Sequence, residues 1–273
     1  MSDALTWEAC AAIVEKADPD RFLSAMTAAP EDRAALFPLY AFNVEVARAP
    51  WVTSEPGLAE IRLQWWRDAL DEIFAGRGVR RHEVVTPLAE VIGAHDLPRY
   101  PFEALIDARA FDIYADGHAG RPALDAYLDA TAGGLMRLAV RATGEARDTL
   151  AGHVGWAQGA AGLLRALPAL WSAGRDPLPV PGGLPRQEVL DRRLPEPVAE
   201  AVRTLARDGL ARLDRIEADR LTDGQRAALR AGWRSRDVLR RIAAEPAAIF
   251  TGVEVSEFRR RGGLTWRALT GRF

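Results

Sequence analysis

Residues 146–173, ARDTLAGHVGWAQGAAGLLRALPALWSA, decide the fold. The stretch has no apolar–polar alternation of the kind a half-buried strand needs, and its bulky apolar residues cluster in a helical run towards the end. It reads as one long helix in which Gly152, Gly155, Gly159 and Gly162 each cost about 1 kcal/mol relative to alanine, so close helix contact or a ligand must offset them. Pro168 is expected to break that helix, because proline removes a backbone bond and crowds the carbonyl four residues back.

The punctuation on either side is helical too. Thr6 or Ser2 caps a short first helix, and Asp18-Pro19 starts a second over Arg21–Thr27. Pro30 opens a third that runs to about Arg48 and should bend at Pro38. Ser54-Pro56, Thr86-Pro87, Pro101 and Pro122 open four more, with Gly76 ending the first of these. After a loop rich in proline and glycine from Gly174 to Pro185, helices resume over 197–220 and 223–244. The chain is thus expected to be all-α, one domain over 1–273 with about nine or ten helices, and to end in a candidate mobile basic tail, 259–273, after Gly262-Gly263.

Composition narrows the function. Hydrophobic residues are 48% and charged residues 27% of the 273, a globular balance that excludes a disordered tail or a fibrous repeat. No apolar run approaches the roughly 18–20 residues of a bilayer-spanning helix. The acidic start of the chain resembles neither a signal nor a transit peptide, which points to a bacterial cytoplasm. Cys10 is alone, and His82, His95, His118 and His153 are scattered, so no metal-ligand spacing occurs.

Net charge is −2, but residues 1–136 hold 12 basic against 22 acidic side chains and residues 137–273 hold 24 against 16. The basic half suggests an anionic partner or an anionic membrane surface. Arg226, Arg230, Arg234 and Arg241 are expected on one helical face, and Arg259, Arg260 and Arg261 cluster ahead of Trp266 and Phe273. Nucleic acid is not expected, since net charge is slightly negative and no binding motif is present.

Three further stretches carry chemistry: Leu39-Tyr40-Ala41-Phe42, Leu63-Gln64-Trp65-Trp66-Arg67, and Arg165 followed by Gly174-Arg175-Asp176-Pro177-Leu178-Pro179. In that order and spacing they resemble the squalene/phytoene synthase family of head-to-head prenyltransferases, from about Phe22 to Ile242. The resemblance implies the helical isoprenoid-synthase fold. In active members of the family two helices carry Asp-Asp-x-x-Asp and Arg-Asp-x-x-x-Asp. Carboxylates one turn apart hold magnesium against the substrate diphosphate and stabilise its departure.

Here those positions are Ala47, Arg48, Trp51, Ala166 and Leu170. No catalytic residue and no resident cofactor is therefore expected; magnesium enters only with the alternative of an active prenyltransferase. Asp112 with Asp116, and Glu45, are poor substitutes, the first two as helix-end carboxylates and the last facing about 200° away on its helix. Tyr40, Arg48, Trp66, Arg67, Arg165 and Arg175 are the candidates for a relic pocket that holds an isoprenoid or lipid ligand without turnover.

The pattern of losses, with Gln64-Trp65-Trp66 and Ala157-Gln158-Gly159 retained, resembles a non-catalytic branch of the family that promotes assembly of respiratory complex I. What that branch implies is a pseudoenzyme whose partner is a complex I subunit or assembly intermediate, acting peripherally at the inner face of the cytoplasmic membrane.

Overall fold

A computed structural model describes residues 6–53, 55–114, 117–252 and 257–273. It is 72% helical, and no strand occurs among the described residues. The helices are α1 (Trp7–Ala17), α2 (Pro19–Ala25), α3 (Pro30–Arg48), α4 (Pro56–Phe74), α5 (Val85–Ala94), α6 (Tyr100–Phe111), α7 (Arg121–Leu128), α8 (Gly134–Arg141), α9 (Asp148–Ser172), α10 (Arg186–Leu190), α11 (Glu196–Asp214), α12 (Asp223–Leu229), α13 (Ser235–Ala244), α14 (Ala248–Thr251) and α15 (Glu257–Leu269). The all-α expectation holds. Among the described residues fifteen α-helices replace the nine or ten expected: turns at Asp129–Gly133 and Arg230–Gly232 each divide one expected helix, and α10, α14 and α15 form where no helix was expected.

Local chemistry starts several of these helices. The Asp18 carboxylate accepts from the Arg21 amide at 3.0 Å ahead of Pro19, and Thr222 and Gln225 close a reciprocal capping box on α12. Ser2, Ser54 and Asp116 lie outside the described residues.

Helix α9 is the axis of the second half of the chain: α8, α11 and α13 lie against it, as does the π-helical turn Asp129–Gly133 that joins α7 to α8, while α3 and α6 pack on α8. Its glycines explain the contact. A Cβ on Gly155 would lie 2.4 Å from the Ala132 carbonyl oxygen and 2.8 Å from Gly133 Cα; one on Gly159 would lie 2.9 Å from Ala132 Cβ; one on Gly152 would meet the Arg137 guanidinium. Gly162 has nothing within 4 Å and faces a cavity instead. Three glycines therefore serve close approach, and the fourth borders open space. Trp156, Leu164, Leu167 and Trp171 are buried along the same helix and offset the cost of its glycines.

Two expectations are corrected here. Pro168 does not break α9, which continues to Ser172. One ladder bond is lost, but packing on both sides holds the helix, and the Ser172 hydroxyl donates back to the Pro168 carbonyl at 2.8 Å. The segment 223–244 is not one helix. It breaks into α12, a 3-10 turn at Arg230–Gly232, and α13, because Arg230 turns inward and Gly232 meets Val154 of α9 at a distance where a Cβ would lie 2.8 Å from its Cγ1.

The glycine geometry makes a paired prediction. Gly155→Ala should destabilise the protein by about 3 kcal/mol, since backbone atoms would have to move, whereas Gly162→Ala should stabilise it by about 1 kcal/mol. Urea unfolding of the two variants against wild type reads both, and equal effects would refute the close-approach account.

Candidate functional site

A cavity of about 380 Å³ opens between α2, the end of α3, α9 and the loop after it. Three of the five positions expected to have lost carboxylates, Trp51, Ala166 and Leu170, line it. Because α9 runs through Pro168, Ala166 and Leu170 stay one turn apart and share the cavity wall. Ala47 is half-buried, one turn before Trp51, and is not part of the wall. Arg48 points away from it, exposed and paired with Glu45 at 3.0 Å. Glu45 is thus the partner of the substituted arginine.

Of the relic-pocket candidates, Arg165 and Arg175 line the cavity; Tyr40, Arg48, Trp66 and Arg67 do not. Tyr40 is core, beneath the Arg21 guanidinium at 5.2 Å, and burial pushes its hydroxyl up to about 12. Trp66 packs edge-on against Phe42 at 5.4 Å and Trp65 at 5.0 Å. Arg67 pairs with Asp107 at 2.8 Å beside a second groove of about 880 Å³.

The electrostatics of the cavity centre on Asp20, a residue that the sequence shows only as a helix-start acid. Its carboxylate meets Arg234 at 2.6 Å, Arg260 at 3.5 Å and Arg165 at 3.9 Å, which tie α2 to α9, to the start of α13 and to α15. Asp18 pairs with Arg21 at 3.3 Å. Asp112 accepts from the Tyr127 hydroxyl at 2.8 Å and from Arg109 at 3.1 Å, and its backbone carbonyl accepts from Arg175. The Arg175 guanidinium also lies 4.1 Å from the centre of the Trp51 ring, so the indole at a lost aspartate position now carries an arginine on its face. Burial raises the Asp176 carboxyl above the usual range.

This donor set does not fit magnesium. Asp18, Asp20 and Asp112 are each engaged by arginine; among the described residues, Asp176 is a single carboxylate without an ion pair, and no group of three or more His, Cys, Asp or Glu side chains could hold a metal ion. What the cavity can do is present guanidinium groups and an apolar wall to a bound group.

The basic residues expected on one helical face are spread by the break in that helix. Arg226 donates to the Gly271 carbonyl at 3.0 Å. Arg230, only 4% exposed, donates to Thr27 at 2.8 Å and to the Arg272 carbonyl at 3.2 Å. Arg234 and Arg260 turn to Asp20, while Arg241 pairs with Glu245 at 2.9 Å on the surface. Arg261 is exposed, and the Arg259 side chain lies outside the described residues. Within 259–273, expected as a candidate mobile tail, α15 buries Leu264.

Sequence reasoning missed Asp20, Arg109, Tyr127 and Trp233 as cavity residues. The one available signal was the unusual pair of carboxylates flanking Pro19; nothing local marks a partner 214 residues away.

The sequence signature of the squalene/phytoene synthase family matches residues 14–267. A fruit-fly (Drosophila melanogaster) homolog of NADH dehydrogenase (ubiquinone) complex I assembly factor 6 is 32% identical over 184 residues, covering 62% of this chain and 52% of the fly protein. The bovine (Bos taurus) complex I assembly factor 6 is 28% identical, over 63% of this chain and 52% of its own length. The chain therefore spans about half the length of these relatives. Among solved structures, squalene synthase HpnC from Alicyclobacillus acidocaldarius superposes with a TM-score of 0.75 at 18% identity, covering 88% of this chain and 93% of its own. A dehydrosqualene synthase in complex with ligand gives 0.73 at 16% identity, covering 97% and 95%. These two establish the fold.

The wall between cavity and groove makes a pH prediction. His118 stacks on Phe111 with ring centres 4.3 Å apart, lies 5.0 Å from Tyr127, and borders both spaces. Burial, opposed by Asp112, holds its pKa below the ordinary 6.5. The unfolded chain therefore takes the proton first as pH falls, and stability present above about pH 6.5 is lost below it. His118→Phe should flatten the fall in melting temperature between about pH 7.5 and 5.5; identical slopes would sink this account of the wall.

Proposed function

The chain belongs to the squalene/phytoene synthase family, and from that premise we propose that it is a non-catalytic member that assists assembly of respiratory complex I. Head-to-head prenyl transfer begins with departure of diphosphate from an allylic carbon, and charge must be neutralised as it leaves. Ala47, Trp51, Ala166 and Leu170 supply no ligand for a neutralising metal, and Arg48 is turned outward onto Glu45. The observation that carries the reading is this set of five residues, three of them on the wall of a cavity in which Asp18, Asp20 and Asp112 are paired with arginine. The named relatives, complex I assembly factors, support the biological role and its partner, a subunit or assembly intermediate of that complex.

Its place in this reading is peripheral, at the inner face of the cytoplasmic membrane. Among the described residues no helix is long and apolar enough to cross a bilayer. Arg165 and Arg175 on the cavity wall favour a second reading in which an isoprenoid or lipid is held without turnover; saturable prenyl-ligand binding that needs no magnesium and is lost in Arg165→Ala is its test.

The assembly role predicts that membranes from a deletion strain lose NADH oxidation severalfold while succinate oxidation is unchanged, with recovery on return of the wild-type gene. Unchanged NADH oxidation would overturn the assembly role. Release of diphosphate from farnesyl or geranylgeranyl diphosphate by the purified protein would overturn its non-catalytic part.

A further inference from the structure

Helix α15 has two unlike faces. On one, Leu264 is buried, Arg260 reaches Asp20, and Arg267 lies 3.7 Å from Asp237 and 5.7 Å from the Trp233 ring, so this face is fastened to the body of the protein. On the other, Arg261, Thr265, Trp266 and Leu269 fall within a little over a third of the helical circumference and are all exposed. Leu269, at 83%, is the most exposed large apolar side chain among the described residues, and Trp266 is 50% exposed. Arg272 follows the helix, exposed, with its guanidinium 4.6 Å from the centre of the Trp266 ring. The hydroxyls of Thr265 and Thr270 are bonded back to the Arg261 and Trp266 carbonyls, which lowers the polarity of the outer face.

We infer that the outer face of α15 docks the protein on an anionic bilayer, with Trp266 and Leu269 entering the interface and the exposed Arg261 and Arg272 lying at the level of the lipid headgroups. Charge complementarity chooses the occupant: the exposed charged side chains on and beside this face, Arg261 and Arg272, are both basic, and Glu257 is the one acidic residue of 257–273. Area argues the same way. A stable protein interface covers roughly 800 Å² on each partner around a continuous apolar centre, and two large apolar side chains on one 13-residue helix do not form such a centre. An interfacial helix needs only an apolar ridge flanked by basic groups, with tryptophan at headgroup depth. The attachment of the inner face to Asp20 and Asp237 presents that ridge as a fixed part of the fold.

The surface suits a role at the membrane but stands without the complex I reading, and its test contains no complex I. Full-length protein is co-sedimented with phosphatidylcholine vesicles and with vesicles holding about 30% phosphatidylglycerol, which carry the negative surface potential of an anionic leaflet. Binding should require phosphatidylglycerol and weaken at salt on the order of 0.5 M. The exposed-face variant Trp266→Ser/Leu269→Ser should lower partitioning about tenfold or more, and Arg261→Glu should lower it several-fold, with melting temperatures close to wild type. Failure of the wild type to bind, equal binding to both vesicle types, or variants that partition like wild type would each overturn the inference.

Discussion

The close approach of α9 to the turn between α7 and α8 is the constraint on which the rest depends. Where Gly155 meets the Ala132 carbonyl there is no room for a methyl group, and the two backbones fix each other's position. That contact settles where the second half of α9 runs, and so where Arg165, Ala166 and Leu170 sit relative to Trp51 across the cavity. Glycines weaken a helix taken alone. In this one they permit the packing that more than recovers the loss, with Trp156 and Trp171 buried on the same element. The widened turn at Asp129–Gly133 is the matching adaptation on the other side, a π-helical turn inside an otherwise regular helix pattern.

Asp20 is the second organising group, and it acts through charge. One carboxylate within reach of three guanidinium groups holds together elements far apart in sequence. Such clusters are stabilising only when geometry and further hydrogen bonds repay desolvation. Here Asp20 retains some contact with solvent at the cavity edge, which reduces that cost. In this chain Asp18, Asp20 and Asp112 are paired with arginine within the protein.

Much of the fold was legible in sequence because its signals are local. Prolines at helix starts, the Asp18 cap and the glycine at the end of α4 each act within a few residues. The glycine pattern of α9 also announced close packing, though not which neighbour would supply it. Pro168 misled because its local penalty is outweighed by packing on both sides of α9. The 223–244 segment misled for the opposite reason: its periodicity favours one helix, but burying Arg230 against Thr27 and the Arg272 carbonyl needs a turn there. The candidate site was half legible. Arg165, Arg175 and the substituted positions follow from motif spacing, whereas Asp20, Trp233 and the Phe111–His118–Tyr127 wall depend on contacts between distant segments.

The residues at the positions where the family resemblance implies aspartates also have a consequence for the folded state. Clustered aspartates facing one another repel unless a cation lies between them, so a site built for magnesium is under electrostatic load without it. Alanine, tryptophan and leucine remove that load, and Trp51 goes further by giving Arg175 a surface to rest on. Three of the carboxylates that line the cavity, Asp18, Asp20 and Asp112, have arginine partners within the fold. Catalysis commonly preserves such unfavourable arrangements at a cost in stability. Once the reaction is no longer selected, relieving them leaves a stable helical body whose outer surfaces can be shaped for binding. In this chain the inner face of α15 is bound to Asp20 and Asp237 while Trp266 and Leu269 project outward, so the stability of the helical body supports the placement of that outer surface.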